Sequence, residues 1–356
     1  MQRAGATRAS AVLVAGAALL ALVLAFVIWN RYLPPSLRLI SHAEPAREPV
    51  PGDNSPPAPR VAPELEQLDP AGLEMAARYA GEHRSRALIV SRHEHIVFER
   101  YWQGTGFDTP ADAQSFTRLL AALAAGAAMS QRLIAWPDEP IGAFIGEWSH
   151  DPRGEITVRN LLQMSSGLGA PSDGGTRDDL AAALLRTPPA RTPGATRVDQ
   201  ATDPQLLALD RPGGTAHADC CMLAHQGDWI RVAQLLLRDG NYRGDEVIRP
   251  GWVTLMRTPA QSDPLYGAYL RVRWQPAANR EMPAARDLFA VTGEGGNRLW
   301  VVPSLQIAIV CTGPPEGRDA AWDDNHLPNL IVHAARDALP AAAQPGADIS
   351  SIVPGH

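Results

Sequence analysis

The feature that most limits how this chain can fold is the run 119–129, which carries no charge and is built from Ala and Leu with one Gly and one Met. A helix apolar on every side has to be buried inside a large domain. Ser115 stands just ahead of the run, at the first turn of the predicted helix. Two readings of it remain open. It is an N-cap, accepting from the unpaired N–H groups of the first turn. Or it is a nucleophile, placed where those N–H groups and the helix dipole favour an alkoxide or the oxyanion that the alkoxide forms on a carbonyl.

The chain is organised around that helix. Residues 9–29 hold Ser10 as their only polar side chain and follow Arg3 and Arg8 with no acid before them. That span is long enough to cross a bilayer with the N-terminus inside. Asn30, Arg31 and Tyr32 follow without a small-x-small cleavage site, so the expectation is an uncleaved anchor over 1–30. Residues 31–62 form a Pro-rich segment that cannot build a core and reads as a semi-rigid tether. Residues 63–337 are long enough for one large domain, and 338–356 read as a disordered tail.

Within the large domain, Asp69-Pro70 predicts a helix start. Residues 87–90 and 96–102 read as two strands joined by a polar turn, and 299–303 with 307–310 as another hairpin. The net charge is −6 and all 32 basic residues are arginine, with no lysine anywhere. Basic and acidic residues are interspersed, which argues against a nucleic-acid surface. His93-Glu94-His95 lies at a hairpin turn with no third ligand nearby, and no HExxH pattern occurs, so neither a metal nor another cofactor is expected. Of the three cysteines, the adjacent Cys220 and Cys221 pair poorly with each other. A bond from one of them to Cys311 is allowed but not demanded, and free buried thiols are the simpler expectation.

A resemblance emerges when Ser115-Phe116-Thr117-Arg118 is read with Gly126, Asp138-Glu139-Pro140-Ile141, Glu147-Trp148, Asp151-Pro152-Arg153-Gly154 and the block from Ile156 through Asn160 and Ser165 to Leu168. In order and spacing these motifs resemble the class C β-lactamase-related serine hydrolases, a group that includes penicillin-binding-protein-like peptidases, esterases and 6-aminohexanoate-dimer hydrolases. The resemblance implies an α/β (α+β) domain, a β-lactamase/transpeptidase-like antiparallel sheet flanked by helices, here behind an N-terminal transmembrane helix. It also implies acyl transfer at Ser115, with main-chain N–H groups of Ser115 and Asn297 as the oxyanion donors. Such a donor is worth about 2.7–4 kcal/mol in a protease where it was measured.

The departures from that pattern fall on proton transfer. Where the family has the lysine of Ser-x-x-Lys, this chain has Arg118, and a guanidinium cannot act as a base at neutral pH. Aligning Pro193-Gly194 with the family's turn puts Asp199 in place of the second-motif tyrosine, with Ala201 or Asp203 in place of its polar partner. Asp199 or His217 is a candidate replacement base, and an exposed turn acid is the plainer reading of Asp199. Only five residues separate Leu207 from Gly213, where relatives carry several tens more. The third motif reads Glu294-Gly295-Gly296-Asn297, with an acid where relatives place a lysine or histidine. An anion there disfavours a carboxylate by about 1 kcal/mol or more at close range.

These readings predict a small-molecule or peptide substrate, neutral or cationic, and not a carboxylate-bearing β-lactam. The expected setting is the inner membrane, entered once, with the domain facing the periplasm. The chain is expected to act as a weak serine hydrolase on an ester or amide. The alternative is a pseudo-hydrolase that binds a peptide, glycan or protein partner without chemistry.

Overall fold

The structure, a computed structural model, describes residues 56, 58–114, 116–169, 185–199, 222–314 and 321–335. All of these lie within one compact unit, Gly52–His356. The expected anchor, most of the tether, Ser115, Ala201, Asp203, His217, Cys220, Cys221 and the tail therefore fall outside the described residues. Among the described residues no helix is long and apolar enough to cross a membrane.

Helix α1 (Pro70–Glu82) starts as its sequence predicts, with Pro70 in the first turn and the Asp69 side chain accepting from Ala71 N. Strands β1 (Ala87–Arg92) and β2 (His95–Tyr101) form the expected hairpin. At its tip the two imidazoles converge on one carboxylate, Glu66, whose oxygens lie 2.5 Å from His93 Nδ1 and 2.6 Å from His95 Nδ1. Burial pushes the Glu66 carboxyl up, but the hydrogen bonds and charges of the two imidazoles together outweigh it and hold it low.

The short strand β3 (Pro110–Asp112) leads to helix α2 (Phe116–Ser130), the apolar helix of the sequence. It is not buried all round. Phe116, Leu119, Ala122, Leu123 and Met129 are in the core, whereas Ala124 is exposed and Leu120, Ala127 and Ala128 are partly so. A row of alanines presents too little apolar surface to demand cover, which is why lack of charge overstated the burial. On the inner side, Gly126 leaves room for Trp252, whose Nε1 would lie 2.4 Å from a Cβ at that position. The indole instead donates to Ala122 O at 3.1 Å.

After α2 come the short helix α3 (Val158–Leu162), strand β4 (Leu223–His225), helix α4 (Gln226–Leu237), the small hairpin β5 (Asn241–Tyr242) and β6 (Asp245–Glu246), and helix α5 (Trp252–Met256). The chain then enters strands β7 (Phe289–Thr292), β8 (Arg298–Val302) and β9 (Ile307–Thr312), and helix α6 (His326–Ala334). The main sheet has the order β2-β1-β9-β8-β7 and every neighbouring pair is antiparallel.

Both faces of this sheet are covered, so its inner strands read as continuous apolar runs rather than alternating ones. Along β8, Leu299 and Val301 face the α2 and α4 side, while Trp300 and Val302 face α1 and α6. The thiol of Cys311 is free and buried beside Ser85 Oγ, and burial pushes it up to about 11. At the outer edge, Ile96 N donates to Pro59 O and Val61 N to Ile96 O, so the last residues before the domain lie along β2.

Candidate active site

The most specific sequence block, 151–168, turns out to be a scaffold for the segment that carries Asp199. Asp151 starts a short turn, its Oδ1 accepting from Arg153 N at 2.8 Å and from Arg153 Nε at 2.9 Å. The other guanidinium nitrogens donate to Asp151 Oδ2 at 2.7 Å, to Leu185 O at 2.7 Å and to Thr187 O at 3.1 Å. The same guanidinium lies 4.7 Å from the Trp148 ring, and Trp148 Nε1 also donates to Leu185 O. Further along, Gly194 N donates to Ser165 O and Val198 N to Met164 O. Thr157 and Asn160 form a capping box that starts α3, which fixes where these carbonyls point.

Arg153 holds the Asp151 carboxyl at about 2, below its ordinary 3.8, through its side-chain and then its main-chain donors. A depressed carboxyl contributes stability that is complete above its unfolded value and is lost as pH falls through the folded one. The contribution of this pair is thus present above about 3.8 and fades toward about 2. Asp151→Asn is expected to be less stable than the wild type at about pH 6, with the gap narrowing toward about pH 2, as read from urea unfolding midpoints across that range. A gap independent of pH would mean that the carboxylate charge is not what matters.

Arg118, the residue in the lysine position, points from the first turn of α2 to Asp199. Its Nη1 lies 2.5 Å from Asp199 Oδ1. Asp199 also has Arg197 Nη2 at 3.6 Å from Oδ2, and the Arg197 guanidinium stacks 4.0 Å from the centre of the Tyr266 ring. The Arg118 side chain is 16% exposed and that of Asp199 is 61% exposed. The two residues that motif alignment puts at the family's lysine and tyrosine positions are thus paired with each other, and Asp199 is exposed, in line with the plainer reading of it as an exposed turn acid.

The third motif packs against the residues just ahead of α2. Asn297, 4% exposed, donates from Nδ2 to Asp112 O at 3.0 Å and to Ala113 O at 3.2 Å. It fastens the start of β8 to the strand that leads into Ser115. Among the described residues nothing accepts from the Asn297 main-chain N–H. Gly295 has φ +72°, and a Cβ there would come 3.0 Å from Gln114 Cγ, next to Ser115. Gly296 has φ +74° and passes so close to Gly313 that a Cβ would lie 2.0 Å from its carbonyl oxygen. Both positions require glycine, by conformation and by space. The Glu294 side chain, like Ser115, lies outside what is described.

Gln114, Gly295 and Asn297 line one open cleft of about 490 Å³. Gln114, which directly precedes Ser115 in the chain, thus meets the third motif, and Arg118 ties the first turn of α2 to Asp199. Sequence reasoning missed Arg197, Tyr266 and the cleft residue Gln226. Nothing in the sequence pairs Arg197 with a ring so distant along the chain.

Comparison with known proteins agrees with this geometry. Residues 73–209 match the beta-lactamase family model. Among solved structures, a penicillin-binding protein homologue from Caulobacter crescentus is similar with a TM-score of 0.58 at 14% identity, over 76% of this chain and 99% of that one. A beta-lactamase from Mycobacterium bovis gives 0.54 at 18% identity, over 74% of this chain and 100% of that one. EstCE1, described as a hydrolase with promiscuous acyltransferase activity, gives 0.57 at 14% identity, over 76% and 99%. No curated protein sequence matches the chain. The fold is β-lactamase-like, an α/β domain with an antiparallel sheet flanked by helices, as the motifs implied.

Proposed function

We propose that this protein is a slow serine hydrolase that cleaves an ester or amide through Ser115. The observation that carries the proposal is the Asn297 main-chain N–H, without an acceptor among the described residues and bolted by its own side chain to the segment that precedes Ser115. Together with the Ser115 N–H it would receive the oxyanion, and main-chain donors do this work whatever the side chains are.

In this reading Ser115 Oγ attacks the acyl carbon and its proton passes to the Asp199 carboxylate, which Arg118 orients. The leaving alcohol or amine takes that proton as the bond to the acyl carbon breaks. Water then attacks the acyl-enzyme, giving its proton to the same carboxylate, which passes it to Ser115 Oγ as the bond to the acyl carbon breaks and the carboxylic acid leaves. A carboxylate shared with guanidiniums is a poor acceptor, so turnover is slow. The proposal includes an uncleaved anchor at residues 9–29, supported by their unbroken apolar character, which would leave the domain in the periplasm at the inner membrane.

The Arg118–Asp199 contact also favours a second reading, in which no base exists and the cleft binds a peptide, glycan or protein partner without turnover. Fluorophosphonate labelling of the full-length chain in detergent separates the two. Labelling at Ser115 that disappears in Ser115→Ala supports the hydrolase. No labelling across about pH 6–10 rejects it and leaves the binding protein.

A further inference from the structure

The cleft lined by Gln114 and Asn297 extends to two guanidiniums, Arg84 and Arg86. Both residues are exposed, and among the described residues neither side chain has an ion-pair or hydrogen-bond partner. The Arg86 stem lies over Gly313, where a Cβ would approach its Cγ to 2.7 Å, so the glycine is what lets that side chain cross the end of β9. Among the described residues one carboxylate shares the cleft, Asp112, and its Oδ1 already accepts from Gln114 N at 3.0 Å.

Arg84 sits at a helix end. It follows the cap of α1 with φ +61°, its N–H donating to Gly81 O at 2.9 Å and the next N–H, of Ser85, to Ala80 O at 2.9 Å. This is the six-to-one and five-to-two pattern of a Schellman ending, whose left-handed position is ordinarily glycine. An arginine fills the same position at the end of α2, where Arg132 has φ +61° and the same pair of hydrogen bonds, so it is the place of Arg84 beside the cleft that matters and not its conformation. The cleft wall supplies an independent sign of a ligand. Gln226 is 1% exposed and accepts on Oε1 from Thr312 Oγ1 at 2.7 Å, yet its Nε2 has no acceptor. A buried amide donor left unmatched is rare because it is costly.

From these observations we infer that the cleft contains an oxyanion subsite, in which Arg84 and Arg86, beside the buried amide of Gln226, hold a carboxylate or phosphate group of the ligand. Guanidiniums suit both, through paired N–H donors. The further statement that this ligand is the acyl substrate of Ser115 rests on the function proposed above. It departs from the neutral or cationic substrate expected from Glu294, because the anionic group is received at the arginines and not by the third motif.

The test is calorimetric titration of the full-length protein in detergent with glutarate, with inorganic phosphate and with uncharged glutaramide. At least one anion is expected to bind about tenfold or more tightly than glutaramide, and Arg84→Gln/Arg86→Gln to lose about tenfold or more of that affinity. Arg84→Gly is expected to weaken binding without lowering the thermal unfolding midpoint, which separates lost charge from damaged structure. Preference for glutarate identifies a carboxylate, and preference for phosphate a phosphoryl group. Anions that bind no better than glutaramide, or an unchanged affinity in the double variant, overturn the inference. Binding needs no turnover, so a failure of Ser115 labelling would reject the hydrolase and leave this result to stand or fall alone.

Discussion

The doubly substituted protein Arg118→Lys/Asp199→Tyr is expected to acylate with an activated ester about 10²–10⁴ times faster than the wild type, the range contributed by a positioned general base. A primary amine in place of the guanidinium can lose its proton when its surroundings discourage the charge, whereas arginine cannot. The partner must change as well. With Asp199 retained, a lysine at 118 would replace one ion pair by another and stay protonated beside the carboxylate. Arg118→Lys alone is therefore expected to gain little. Burst kinetics on the single and double variants, each with a Ser115→Ala control, give the comparison. Equal rates in all of them would mean that Ser115 is not poised for attack, whichever base is offered.

Arg153→Met carries the second large effect, an expected lowering of the thermal unfolding midpoint, because it removes at once the donors to Asp151, to Leu185 O and to Thr187 O. The effect comes more from the two main-chain carbonyls than from the ion pair, since the Asp151 side chain is 31% exposed. Methionine preserves much of the packing on Trp148 but leaves Leu185 O one donor short and Thr187 O without this one. Loss should not be confined to the global midpoint. Because Gly194 and Val198 hang from the neighbouring carbonyls of Ser165 and Met164, the segment that ends at Asp199 is expected to exchange its amides faster in the variant. Hydrogen exchange with unchanged protection over residues 185–199 would show that Arg153 stabilises the domain without positioning that segment.

Sequence alone carried the architecture well where one local pattern dictated one element. The hairpin of β1 and β2 follows from apolar runs around a polar turn, and the start of α1 from Asp69-Pro70. The helix after Ser115 was equally plain, though its alanine face is more open than an uncharged run implies. At the site, motif spacing identified Arg118, Asp199 and Asn297 as positions. It said nothing of what each one touches. The contact between Arg118 and Asp199 spans 81 residues, and the bond from Asn297 to Asp112 spans 185. Arg84 and Arg86 were invisible for a related reason. They matter only because antiparallel pairing sets the start of β1 against the end of β9, next to Gly313.

The two hydrogen bonds that lay residues 59–61 along β2 have a mechanical meaning. A sheet edge is a template for other chains, and here the outermost strand is partly covered by the protein's own entering segment. If that segment is also the tether to the membrane, a pull from the anchor meets the Pro56 carbonyl held by Arg243 and then shears the bonds to Ile96. Those bonds would yield before the β1–β2 hairpin or the buried strands behind it, so the entry acts as a fuse. A domain trimmed to begin at residue 63 would lose it and offer a bare edge to its neighbours.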